Sequence, residues 1–192
     1  CKKKEERYEA QFLVLFNSAT KLVGYAKTEE EFSQFSRFIY DDVEEYHKLY
    51  DKYHSYDNIN NIKTINDNAG KEPVKVDKRI IDLLLFSKEV YEETSGKVNI
   101  AMGSVLEIWH DYREAGIQDP INSQLPPMDE LEEASKHTNI HDLIINEEDS
   151  TVYLQDENMS LDVGAIAKGY AAEQVVQNAI KHAKNIEKPL NV

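Results

Sequence analysis

Cysteine occurs once, at residue 1, so no disulfide can form within the chain and no cysteine-based zinc site can be built. No run of about 18 apolar residues occurs, so no segment reads as a membrane-spanning helix. Basic residues are scarce: 22 Lys and Arg stand against 36 Asp and Glu, a net charge of −14. That balance excludes general nucleic-acid binding, which needs a basic patch, and confines any polybasic surface to the extreme N-terminus. Seven glycines and five prolines punctuate the chain without an internal repeat. What is present is a hydrophobic fraction of 41%, enough to build a core and to exclude wholesale disorder. A length of 192 residues fits one or two domains of ordinary size, and one is the better prior.

The N-terminal residues are highly charged, and 1–11 are expected as a tether leading into a single domain over 12–192. Phe12–Phe16 and Leu22–Tyr25 read as short strands. Thr28 and Glu31 stand in the spacing of a capping box. Phe32, Phe35, Ile39, Val43, Tyr46 and Tyr50 then recur on one face of a long amphipathic helix. Residues 51–75 are polar and Asn-rich, with no helical period. Asp77 is placed to cap a second helix that stops at Gly96. A short helix carries Val105, Leu106, Ile108 and Trp109, with Trp109 expected in the core. Residues 114–128 read as a loop, and 129–136 as one or two helical turns. Leu143–Ile145 and Thr151–Leu154 flank an acidic turn and read as a hairpin. Ser160–Val163 reads as a strand before a helix over about 167–183. The fold class expected is α+β, a mixed or antiparallel sheet with packed helices.

Chemistry concentrates in Leu161-Asp162-Val163-Gly164-Ala165-Ile166-Ala167-Lys168-Gly169-Tyr170-Ala171. Free N–H groups at a helix N-terminus favour an anion. Gly164 and Ala165 allow close approach, Lys168 adds a positive charge in the first turn, and Asp162 is placed to accept hydrogen bonds from a ligand base or sugar. The same spacing also describes an ordinary strand-to-helix joint with Asp162 solvated and Lys168 on the surface. The stretch is neither a Walker loop nor G-x-G-x-x-G. The six histidines do not form a zinc constellation by spacing. Among them His137 and His141, four apart, lack an obvious third ligand.

Asp162 to Ala171 resembles the signature of the FAD:protein FMN transferase (ApbE) family. Tyr53-His54-Ser55-Tyr56 with the later Asn66, Gly70 with Pro73-Val74-Lys75-Val76, and Gly96-Lys97-Val98-Asn99-Ile100-Ala101-Met102-Gly103 closing at Trp109 resemble further family segments in the same order. The resemblance runs from about Phe12 to Val192. It implies an ApbE-like fold and a Mg²⁺-dependent transfer of FMN from FAD to a Thr or Ser hydroxyl of an acceptor protein. It implies FAD contacts at Phe16, Tyr56, Lys97, Val98, Asn99, Asp162 and Lys168, and a backbone oxygen of Ala165 on Mg²⁺. Asn99 stands where the family commonly has Asp, and Asn60 where it has Ser. No catalytic side chain is identified. The segment that supplies the family's Asp and Thr metal ligands has no counterpart here, so the chain is expected to be C-terminally incomplete and inactive alone.

Cys1-Lys2-Lys3-Lys4 resembles the mature start of a bacterial lipoprotein. It implies a lipid on Cys1 and a location on the extracytoplasmic face of the cell membrane. Alternative functions on the same residues are a Mg²⁺-dependent FAD pyrophosphatase and a lipoprotein that binds flavin without chemistry. A structural lipoprotein with no flavin affinity is a further alternative.

Overall fold

A computed structural model describes residues 4–12, 16 and 18–185. The chain divides into two compact units, Cys1–Lys48 with Lys168–Val192, and Leu49–Ala167. Among the described residues no helix is long and apolar enough to cross a membrane.

In the first unit, β1 (Glu6–Phe12) and β2 (Thr20–Ala26) pair antiparallel, from Glu6 opposite Ala26 to Phe12 opposite Thr20. Residues 6–11, expected as tether, are therefore strand. Tyr8, Ala10 and Phe12 alternate inward while charged neighbours face out, the period of a half-buried strand. Alternation decides this segment, and its high charge belongs to the outward face. Helix α1 (Glu29–Tyr50) starts as its sequence foretells. Thr28 Oγ1 accepts from the Glu31 N–H at 3.2 Å, and the Glu31 carboxylate reaches back to the Lys27 N–H at 3.1 Å. Glu29, Glu30 and Glu31 complement the helix dipole. Phe32, Ile39, Val43, Tyr46 and Tyr50 are buried as their spacing requires, and Phe35 on the same face is half-buried. Helix α6 (Gly164–Asn185) contributes Ala171, Val175, Ala179 and Ala183 to the first unit's buried set. Tyr8 stacks on Phe32, Phe38 stacks on His182, and Asn178 donates to Asp42 at 2.9 Å.

The second unit holds a three-stranded antiparallel sheet ordered β3 (Val74–Lys75), β5 (Thr151–Leu154), β4 (Leu143–Asn146). The expected hairpin is β4–β5. Helix α2 (Ile62–Asp67) occupies the stretch expected to lack helix. It is too short to show a period, and it forms because Asn61 and Thr64 close a reciprocal capping box over buried Ile62 and Ile65. Helix α3 (Lys78–Glu93) is capped by Asp77 and buries Ile80, Ile81, Leu83 and Leu84. It ends at Glu93, with Ser95 and Gly96 both at positive φ. Helix α4 (Gly103–Gln118) runs into the expected loop, and α5 (Met128–Ser135) follows.

Residues 160–163 belong to no sheet. One side chain and single backbone groups hold them. Asn66 donates to the Leu161 carbonyl at 3.0 Å and accepts from its N–H at 2.8 Å. The Asp162 N–H donates to Ile100 O at 2.8 Å, and the Gly103 N–H donates to Ser160 O at 3.0 Å. A Cβ on Gly103 would lie 2.3 Å from that same oxygen, so the approach requires glycine. A Cβ on Gly169, in α6, meets nothing within 4 Å.

Opposite effects are expected at the two glycines. Gly103→Ala should destabilise by about 2–3 kcal/mol through overpacking. Gly169→Ala should be neutral or stabilising by up to about 1 kcal/mol through lower backbone entropy in the unfolded chain. Urea denaturation of each variant measures both.

Candidate functional site

The site in the second unit is built on a turn that one buried carboxylate organises. Asp51, with a side chain 4% exposed, accepts from the Tyr53 N–H at 2.7 Å, the His54 N–H at 3.3 Å and the Tyr56 hydroxyl at 2.7 Å, and pairs with His54 Nδ1 at 2.8 Å. Its carbonyl accepts from Lys63 N–H, which ties the turn to α2. Burial would raise the Asp51 carboxyl, but these hydrogen bonds outweigh it and hold the group below its ordinary value. Asn61, itself fully buried, donates to the His54 carbonyl, and Asn60 donates to Lys75 O in β3.

The adjacent Lys52 meets Asp162. Their Nζ and Oδ2 atoms are 2.8 Å apart, with side chains only 13% and 19% exposed. The other carboxylate oxygen accepts from the Gly164 N–H at 2.9 Å, at the first residue of α6. The helix N-terminus expected to offer free N–H groups to an anion is thus partly capped by the chain's own Asp162. Burial would lower the Lys52 ammonium, but the bond to Asp162 and its charge overcome this and hold it above its ordinary value.

Lys52 and Asp162 line a cavity of about 700 Å³ whose other walls include Tyr53, Trp109, His110 and Arg113. Trp109 is 45% exposed and Tyr53 49%, so Trp109 is a cavity wall and not the core residue expected. Lys52 Nζ lies 5.0 Å from the Tyr53 ring centre, and Tyr53 and His110 rings are 5.6 Å apart. Arg113 donates to His110 Nδ1 at 2.8 Å. Leu106, Trp109, His110, Arg113 and Ile117 recur at helical spacing along α4, and the face they define borders the cavity. Two cations against one carboxylate line this concavity, in a chain of net charge −14. Its volume is that of a small-molecule site. Aromatic faces beside cations suit a ligand with flat rings and an anionic link.

The expected site residues separate. Asp162 lines this cavity. Tyr56 commits its hydroxyl to Asp51, and the aromatic in the wall is its neighbour Tyr53. Asn99 accepts from the Ala101 N–H and donates to Thr138 O, capping the turn before α4. Lys97 is exposed and Val98 half-buried, and the Val98 N–H donates to the Thr94 hydroxyl. Phe16 and Lys168 come together in the first unit, on the wall of a mainly apolar cavity of about 250 Å³. Ala165 lies exposed in the first turn of α6. Among the described residues no three His, Cys, Asp or Glu side chains could hold a metal together. A hard cation takes six or more oxygens, so Ala165 does not amount to a cation site. His137 pairs with Asp156 at 2.6 Å. Cys1 lies outside the described residues. Lys52, His110 and Arg113 escaped the sequence reading. The 109, 110, 113 spacing is the signal that could have found the last two.

The architecture is the α+β fold of the ApbE proteins. The solved ApbE protein of Thermotoga maritima MSB8 matches with a TM-score of 0.74 at 25% identity, over 94% of this chain and 54% of its own. The flavin transferase ApbE of Vibrio cholerae matches at 0.74 with 15% identity, over 93% and 54%, a likeness of fold alone. The ApbE family profile matches residues 18–188, and the chain belongs to that family. An FAD:protein FMN transferase of Treponema pallidum (strain Nichols) is 31% identical over 128 residues, 64% of this chain and 33% of the relative. One of Klebsiella pneumoniae (strain 342) is 29% identical over 114 residues, 59% and 34%. The match therefore spans about a third of these curated relatives and about half of the solved chains.

Asp51 generates an acid-stability prediction. Its folded value is depressed, so the stabilisation is fully present above the unfolded value near 3.8 and is lost as pH falls through the lower folded value. Asp51→Ala should cost about 2–3 kcal/mol at pH 7, because it leaves buried donors without an acceptor. The gap between variant and parent should shrink as pH falls below 3.8. Denaturation at stepped pH checks this, and a gap independent of pH would contradict it.

Proposed function

We propose that this chain provides the flavin-nucleotide cradle of an FAD:protein FMN transferase. The observation that carries the proposal is the cavity at Lys52 and Asp162, which sets Tyr53 and Trp109 beside Arg113 in an otherwise acidic protein. Family membership and the names of the curated relatives support the same reading. Flat rings on a phosphate chain are the chemistry those walls complement.

The reaction proposed breaks the bond between the FMN phosphorus and the bridging oxygen of FAD, and AMP leaves with that oxygen. A P–O bond forms to a Thr or Ser hydroxyl of the acceptor protein, whose proton is released. The residues here bind and orient. Aromatic faces hold a ring, and Lys52 and Arg113 offset charge on the phosphates. Magnesium, when bound, would supply Lewis-acid assistance to this class of transfer. That dependence rests on the family resemblance, since the only ligand proposed for it here is the Ala165 backbone oxygen. A lipid on Cys1 and an extracytoplasmic membrane location belong to the same proposal and rest on the Cys-Lys-Lys-Lys sequence.

FAD titration by calorimetry, with and without Mg²⁺, tests the proposal. Saturable binding is expected, weakened about 5- to 10-fold by Trp109→Ala, the loss of one aromatic contact of about 1–1.5 kcal/mol. No FAD binding under either condition would overturn it. Incubation with an acceptor protein then separates the chemistries: FMN fixed to Thr or Ser supports transfer, free FMN with AMP indicates the pyrophosphatase, and FAD binding without either product is the result expected if this chain supplies the cradle alone.

A further inference from the structure

Among the ion-paired lysines described, Lys52 has the least exposed side chain. Lysines are almost never buried unless paired, and this one is nearly so, at the wall of a cavity, with its ammonium on Asp162. Both members of the pair are fixed independently of each other. On one side, four hydrogen bonds to the Asp51 carboxylate set the turn that follows Lys52. On the other, Asn66 grips Leu161, the Asp162 N–H is bound to Ile100, and Asp162 Oδ1 is held by Gly164 N–H. Both carboxylate oxygens of Asp162 therefore have partners within the chain, at Gly164 and at Lys52. An ammonium has three N–H donors; Asp162 takes one and Tyr53 is a second side-chain partner. A half-buried ion pair that served stability alone gains little over apolar residues of the same size. This pair is held from both sides and faces the cavity.

We propose that Lys52 selects for the phosphate-bearing part of the ligand, and that Asp162 is a positioning residue that acts through Lys52 by holding its ammonium at the cavity wall. The inference rests on the flavin-nucleotide reading above and deepens it. Asp162 then orients a cation, and its substitution is felt at the phosphates. Such preorganisation lowers the entropy lost when a phosphate docks. The Tyr53 ring, facing the same ammonium, keeps the lysine beside a stacking surface.

The test compares dissociation constants for FAD, ADP and riboflavin, measured on the whole chain by calorimetry and flavin fluorescence. Lys52→Met should weaken FAD and ADP at least 10-fold and riboflavin less than 2-fold. Lys52→Arg should recover part of the loss. Asp162→Asn should lower the preference for FAD over riboflavin, and the double variant should be no worse than Lys52→Met alone, because the two act as one unit. Lys78→Met, which removes an exposed lysine of α3, serves as the charge control and should change none of the three. Equal weakening of FAD and riboflavin by Lys52→Met marks a structural role and overturns the inference, as does an unchanged FAD-to-riboflavin ratio. If the unaltered chain binds none of the three, the flavin reading itself fails and this inference falls with it. Circular dichroism of Lys52→Met identifies a variant that does not fold. In that event Lys52→Gln, which keeps a hydrogen-bond donor without the charge, takes its place: selective loss of FAD and ADP supports the inference, and equal loss of riboflavin overturns it.

Discussion

The grip of Asn66 on the backbone of Leu161 is the constraint on which the candidate site depends. Residues 160–163 have no ladder to lie in, yet they must deliver Asp162 at a fixed place before α6 begins. An amide that both donates and accepts does for Leu161 what a neighbouring strand would do. The Gly103–Ser160 contact and the Asp162–Ile100 hydrogen bond complete the work from the other flank. The signature thus gains a strand's rigidity while leaving the Asp162 side chain available to Lys52.

The same economy governs the charges. A chain of net charge −14 repels anions at long range, so any anionic ligand requires local positive groups that are shielded from the surrounding carboxylates. Burial of the Lys52–Asp162 pair achieves this for Lys52. Arg113 reaches the same cavity from α4, against His110. The apolar face of α4 that borders the cavity has a cost. Leu106, Trp109 and Ile117 remain exposed, as does Leu125 in the segment that follows. Exposed apolar groups clustered around a concave site belong to ligand recognition more often than to the core.

Much of this is legible in the residues. The Thr28–Glu31 box, the α1 period, the Asp77 cap and the β4–β5 hairpin each follow from local rules, and the structure has them all. Local rules fail where the stabilising partner is distant or the element short. Helix α2 is six residues long and rests on a cap, which periodicity does not detect. The segment 160–163 looks like a strand because its residues alternate, but its partners are a side chain 95 residues away and single backbone groups. A helical apolar stripe ordinarily faces inward, which is why the sequence points Trp109 to the core; here that stripe borders the cavity. Family resemblance singles out Asp162 and Lys168, which line cavities in different units. It gives no hint of Lys52, whose role is set by the tertiary meeting of two turns.

A crystal structure of this chain grown with FAD would test the cradle most directly. Electron density for the dinucleotide is expected in the cavity of the second unit, with a phosphate oxygen within hydrogen-bonding distance of Lys52 Nζ and a ring against Trp109 or Tyr53. Ordered FAD elsewhere on the chain, with the Lys52–Asp162 cavity empty, would contradict it.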